Sequence, residues 1–338
     1  MTRRAFRRWV RVSLSLVYLV IAAGATVRMT GSGMGCPDWP KCFGYYIPPT
    51  QEVQLLWKPG RSFSKGQLIS HEGGLFSAVR DLKTGAVYDP ANWKPYTDTE
   101  FGAFNAYHTW VEYLNRLIGA LAGLVILVTA LLSFSVRGAP RTTVLLSWLT
   151  VLLMGLQAWL GATVVYSVLL PVKVTLHMLM AFVLIALLLL LSRPQEEKPV
   201  ARDEKIRRIA LLAWGFFLIQ VLLGTQTRQF VDVMSKILPT APEQWLRAAP
   251  IFFYLHRSFS ILVLLVYAYL FYRVRKAYRG EVKWTGWVLA LLCTEALVGA
   301  SMAYLAFPFG AQALHLLLSS LVFGIGFYGW IKPPAVRA

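Results

Sequence analysis

The sequence predicts an all-α integral membrane protein: eight transmembrane helices forming two pseudo-symmetric four-helix bundles, with a long extracytoplasmic first loop. Three observations predict it. Apolar residues make up 57% of the 338 and gather into eight runs, each near the ~20 residues that cross a bilayer. Basic residues crowd the ends of these runs on one side. Three short motifs each occur twice, in the same order.

The runs lie at about 9–27, 109–133, 143–165, 172–191, 209–226, 251–272, 285–304 and 312–330. The first follows a basic start, as a signal peptide would. No Ala-x-Ala site closes it and it is long enough to span, so it reads as a retained helix. One set of ends carries Arg3, Arg4, Arg7, Arg8 and Arg11, then Arg137 and Arg141, then Arg193 to Arg208, then Arg273 to Lys283, and last Lys332 and Arg337. The opposite short loops carry only Lys173, Arg228, Lys236 and Arg247. This is the positive-inside pattern, and it puts both termini in the cytoplasm. The net charge of +18 then reflects orientation and contact with membrane lipid, and nucleic acid is not an expected partner.

The chain divides into a first half, 1–191, a charged cytoplasmic linker, 192–208, and a second half, 209–338. Four helices per half is an even number, so both halves enter the membrane in the same direction. Their pseudo-twofold axis should run along the membrane normal. The outer segment of about 28–108 is too aromatic for disorder and is expected to form an ordered cap with short helices or strands. Within it, Gly31–Gly35 lacks the Gly-Lys-Ser/Thr of a nucleotide loop and reads as a tight turn. Cys36 and Cys42 follow on the oxidising side, where a disulfide is expected. Cys293, inside the seventh run, reads as a small packing residue.

The repeats carry the chemistry. Gly24-Ala25-Thr26-Val27-Arg28 returns as Gly224-Thr225-Gln226-Thr227-Arg228. Tyr113-Leu114-Asn115-Arg116 returns as Tyr254-Leu255-His256-Arg257. Gln157 to Gly161 with His177 returns as Glu295 to Gly299 with His315. His256 and His315 start two different helices at matched depth near the outer side, which suits a six-coordinate bis-His haem for electron transfer. The first half breaks the symmetry: Asn115 replaces one histidine, Glu112 lies on the same helix face, and His108 sits one turn further out. An iron held by His177 alone keeps an open position, so the first half is nominated for reaction. Alternatively, Asn115 marks a decayed site and Glu112 only pairs with Arg116.

Arg116 and Arg257 suit haem propionates or a neighbouring carboxylate. Arg28 and Arg228 suit propionates or lipid head groups. Glu295 is an ionisable group inside a span, for a proton path or a structural hydrogen bond.

Together, Thr30 to Pro40 with Cys42, Glu112-Tyr113-x-x-Arg116, His177, His256-Arg257 and Gln312-Ala313-Leu314-His315 resemble the haem A synthase family over nearly the whole chain. The resemblance implies an eight-helix oxidoreductase of the bacterial plasma membrane that converts haem O to haem A. It oxidises the C8 methyl of the porphyrin to a formyl group by two successive hydroxylations and loss of water. It implies haem b between His256 and His315, substrate haem O near His177, a required carboxylate at Glu112 and an outer cysteine pair at Cys36 and Cys42. It also implies dealings with a haem O synthase and with terminal oxidase assembly; the chain is compatible with a homo-oligomer. Many family members carry a second histidine where this chain has Asn115. Asn115 then leaves the iron one protein ligand, or His108 moves in from the cap, or this half binds without reacting; the first is the favoured reading. The rival from a different class is a non-catalytic b-type cytochrome. A parallel-repeat transporter fits less well, because its polar groups should gather at the midplane.

Overall fold

In a computed structural model, residues 1–96, 104–167, 169–193, 203–278 and 283–334 are described. Eight helices there are long and apolar enough to cross a membrane. They are α1 (Arg3–Met29), α2 (Ala106–Ser133), α3 (Arg141–Tyr166), α4 (Pro171–Ser192), α5 (Glu204–Ile237), α6 (Ile251–Ala277), α7 (Lys283–Tyr304) and α8 (Ala311–Ile331). The chain is thus a multi-pass membrane protein.

Local chemistry sets the starts. The Thr2 hydroxyl accepts from Ala5 N–H at 3.2 Å, the Asn105 carbonyl from His108 N–H at 3.2 Å, and the Asp203 carboxylate from Lys205 and Ile206 N–H at 2.9 and 3.0 Å. Each satisfies donors the first turn leaves open. Proline opens α4 as its first residue, and Pro140 and Pro250 precede α3 and α6, where the missing N–H costs nothing.

Within each half, consecutive helices are neighbours, and the first also touches the fourth: α1 with α4, α5 with α8. The halves meet through α8, which lies against α1 and α4. Its last turns carry Gly324, Gly326 and Gly329, and a Cβ on these would run into Tyr18, Tyr267 and Trp284 respectively. Small residues at such points let helices approach where lipid provides no hydrophobic drive for association. Phe182 of α4 stacks on Phe323 of α8 with ring centroids 4.5 Å apart. Large apolar side chains that look outward, such as Leu152 and Leu297, suit lipid contact.

One boundary and one packing expectation differ from the sequence reading. The fifth helix runs on to Ile237, well past 226, so Arg228, Asp232 and Lys236 stand on a helix and not in a loop. The hydropathy signal stops at the charges, while the backbone hydrogen bonding does not. Cys293 is exposed on α7, so it is not the packed residue expected. Most of the expected linker, 194–202, lies outside the described residues, as does 97–103 of the cap.

The cap is ordered, with strands as anticipated. They are β1 (Ser62–Phe63), β2 (Leu68–His71), β3 (Gly74–Ala78), β4 (Leu82–Lys83) and β5 (Trp93–Pro95). β1 pairs with β4, and β2-β3-β5 form an antiparallel sheet. The β2–β3 turn places Glu72 and Gly73 at φ 47° and 77°, the mirror-image geometry that hairpins favour. Phe63, Ile69, Ala78 and Trp93 make one small core, and Cys36, Cys42, Phe43, Leu55 and Leu68 another. Cys36 and Cys42 form a disulfide.

The cap rests on α2. A Cβ on Gly35 would collide with the His108 backbone carbonyl, and that backbone cannot swing aside as a side chain can. Gly35→Ala is expected to destabilise the cap by about 1–3 kcal/mol, read as a lower midpoint in thermal unfolding followed by cap proteolysis.

Candidate functional site

A cavity of about 440 Å³ opens among α5, α6, α7 and α8, with Arg28 of α1 and Phe182 of α4 also on its wall, within the volume range of small-molecule sites. His256 of α6 and His315 of α8 both line it, with Arg28, Arg228, Arg257 and Glu295. The two imidazole centroids are 6.4 Å apart and the rings are nearly perpendicular. That separation equals two metal–nitrogen bonds of about 2 Å each plus the distances from the ring nitrogens to their centroids.

The His256 ring is oriented by its neighbour helix. Its Nδ1 lies 3.2 Å from the Gln220 carbonyl of α5, and the Gln220 amide donates back to the His256 carbonyl at 3.0 Å. A carbonyl only accepts, so Nδ1 carries the proton and Nε2 keeps a lone pair. His315 Nε2 lies 3.8 Å from Glu295 of α7, and Ser319 donates to the same carboxylate. The buried His315 Nδ1 has no partner.

In the first half, His177 of α4 faces α3, with Gln157 Nε2 3.4 Å from its Nε2. This is the repeat image of Glu295 and His315. A glycine backs each of the four repeat positions: Gly24 behind Asn115, Gly161 behind His177, Gly224 behind His256 and Gly299 behind His315. A Cβ on Gly224 would stand 2.9 Å from His256 Cε1. Gly224→Val is therefore expected to tilt the ring and cut bound haem severalfold, measured as the haem-to-protein ratio after purification.

Glu112 and Arg116 are tied to the cap. Glu112 is 4% exposed. Its Oε2 accepts from Cys36 N–H at 2.9 Å and its Oε1 from Arg116 at 2.6 Å. The Arg116 guanidinium also donates to the Asp38 and Lys41 carbonyls at 2.6 and 2.9 Å, and to the Cys36 carbonyl at 3.4 Å. Of the two partners anticipated for Arg116, it takes the neighbouring carboxylate, and its remaining donors hold the disulfide loop. Burial pushes the Asp38 carboxyl up from its usual value, against the Gly44 and Phe43 N–H groups and Arg116, which lower it. His108 sits beside Ser32, Nδ1 to Oγ 2.9 Å.

Arg28 of α1 and Arg228 of α5 share Asp232, and both border the second-half cavity. Arg257 lies over the Tyr254 ring, 5.5 Å from its centroid. The sequence reading missed Gln220, Asp232 and Ser319. Gln220 had a detectable signal, a polar residue inside an apolar run four before Gly224; the other two join through helix packing alone.

The donors fit a haem. Seven of the eleven buried side-chain polar atoms without a partner among the described residues belong to Asn115, Gln157, His177, Gln220, Arg228, Glu295 and His315. Unpartnered buried groups are rare and ask for an explanation. Among these, Arg228 Nε is a donor that a haem carboxylate can accept from, while the oxygens of Asn115, Gln157, Gln220 and Glu295 need donors that a haem lacks. The fit therefore rests on the His256 and His315 imidazoles across the cavity. Among the described residues no three His, Cys, Asp or Glu gather to hold a bare ion; a porphyrin brings four nitrogens of its own and needs only two.

Fold and site together define a helical membrane protein with eight candidate spans among the described residues, a histidine-lined cavity and a disulfide-closed cap resting on α2. The sequence model of the COX15-CtaA family, described as cytochrome oxidase assembly protein, matches residues 7–62 and 94–326. The chain belongs to that family. Among its relatives is a protein of Shewanella oneidensis named heme A synthase, 32% identical over 241 residues, which are 70% of this chain and 61% of that protein. Proteins of the same name from Bacillus mycoides and Methylobacterium radiotolerans are 22% and 25% identical, over 95% and 94% of this chain and 91% and 87% of their own length.

Proposed function

We propose that this chain is a haem A synthase, an oxidoreductase that converts the C8 methyl of haem O to a formyl group by two successive hydroxylations and loss of water. The observation that carries the reading is the pair His256 and His315, with ring centroids 6.4 Å apart across one cavity, and a symmetry-broken counterpart at His177 and Asn115. Relatives named heme A synthase support it.

The roles divide between the halves. His256 and His315 hold haem b, and Arg28, Arg228 and Arg257 are its propionate candidates. Bound there, haem b supplies a one-electron carrier. In the first half His177 holds the substrate haem O, and Asn115, which brings a weak carboxamide in place of an imidazole, leaves the opposite position open. Glu112 keeps a carboxylate near the reacting edge, where it can accept a proton or stabilise developing positive charge. Arg116 fixes the Glu112 rotamer and ties it to the disulfide loop, which closes this end to water. His108 stays with Ser32.

The two halves act as parallel repeats, 1–191 and 209–338, in a bacterial plasma membrane with both termini cytoplasmic. Haem O arrives from its synthase and the product leaves for oxidase assembly.

The test is co-expression with a haem O source, pigment extraction and mass analysis of the haems. Haem A or its hydroxymethyl precursor is the expected result. Haem b with haem O unchanged would replace the reading with a non-catalytic b-type cytochrome.

A further inference from the structure

We propose that the face opposite the cap carries a binding site for the phosphodiester headgroup of an anionic phospholipid, seated among Arg3, Arg7, Arg193 and Lys332. A cavity of about 350 Å³ opens there, far from both histidine sites. It draws its cations from three helix ends: Arg3 and Arg7 from α1, Arg193 after α4 and Lys332 after α8. Among the described residues no acidic side chain lines it, and none of the four cations pairs with a described carboxylate.

Two further features point to an anion with an apolar tail. The first turn of α3 borders the cavity through Thr142 and Thr143. Pro140 precedes that helix and offers no side-chain cap; its carbonyl takes the Thr143 N–H at 2.9 Å, which leaves the earlier N–H groups of the turn at the positive helix end. The Arg3 guanidinium is anchored by the Gly138 carbonyl, which fixes one cation in place. The remaining wall is Phe6, Leu146 and Leu190, and the two leucines belong to membrane-spanning helices. A free anion would leave that wall uncovered, whereas an acyl chain would cover it. Basic pockets between helices at the headgroup level bind anionic lipids for this reason. The site stands apart from the haem assignment and does not depend on it.

Native mass spectrometry of the purified full chain in detergent tests it. The probes are phosphatidylglycerol, phosphatidylcholine with the same acyl chains, and inorganic phosphate. The wild type is expected to retain one phosphatidylglycerol in preference to phosphatidylcholine. The triple variant Arg7→Gln, Arg193→Gln, Lys332→Gln should lose more than roughly tenfold in retention, and Lys332→Gln alone about fivefold, the scale of one basic residue near an anionic lipid surface. A control triple on the same basic face, Arg275→Gln, Lys276→Gln, Lys283→Gln, should bind as wild type. An unchanged size-exclusion profile shows that a variant has folded; if the triple fails this, the single variant decides. Equal loss in both triples would overturn the proposal in favour of diffuse attraction. Equal retention of phosphatidylcholine would reduce the cavity to an apolar slot, and displacement by inorganic phosphate would make it a free-anion site.

Discussion

Glu112→Gln is expected to lower haem A yield by about a hundredfold or more, the scale of losing a positioned proton acceptor, while haem b content stays at the wild-type level. The glutamine keeps one acceptor oxygen, which can take the Cys36 N–H or the Arg116 donor but not both, since these two bonds fall on different oxygens of Glu112. Some loosening of the cap is expected and is read as its thermal midpoint beside the haem ratio. What disappears is the negative charge and the ability to take a proton. Glu112→Ala should do more. It leaves Arg116 buried without its carboxylate, and breaking such a pair by removing one partner costs about 3–5 kcal/mol. The disulfide loop should then become protease-sensitive as well as inactive. Cap proteolysis of the glutamine variant, measured beside its haem ratio, separates chemistry from architecture: lost haem A with an intact cap assigns the loss to the carboxylate. If the glutamine variant makes haem A as the wild type does, Glu112 is a strut for the cap and the carboxylate takes no part in the reaction. The readouts are the ratio of haem A to haem O by mass and the haem b spectrum of the purified protein.

His256→Ala is expected to abolish the low-spin spectrum of a bis-His haem and with it product formation. The position is held from three sides: Gly224 lies behind the ring, Gln220 orients Nδ1, and His315 stands across the cavity. On the proposed assignment, a haem at this site would be left with His315 as its one protein ligand. Purified protein should show a five-coordinate or aquo spectrum, or no haem at all. An unchanged low-spin spectrum would remove His256 from the ligand set.

The spans were legible because twenty apolar residues in a row have few other uses, and the candidate site positions stood out because the chain repeats them. His256, His315 and His177 could be picked out by matching one half against the other. Their glycine backs lay inside the same repeats, although their purpose shows only when the helices pack. The outer end of α5 was not legible, since Asp232 and Lys236 end the apolar run while the helix continues and Asp232 joins Arg28 of α1. The cap strands are two to five residues long, too short for alternation to register. The reach of Arg116 to the Asp38 and Lys41 carbonyls spans more than seventy residues of sequence, and no local pattern encodes it.

The division of labour between the halves is best tested by extracting haems from two purified variants, His177→Ala and His256→Ala, made in a strain that supplies haem O. The expected result is a crossed loss: His177→Ala keeps haem b and loses bound haem O, and His256→Ala loses haem b while the first half still captures haem O. If both variants lose the same haem, or both haems fall together in properly folded protein, the two halves do not hold separate haem sites.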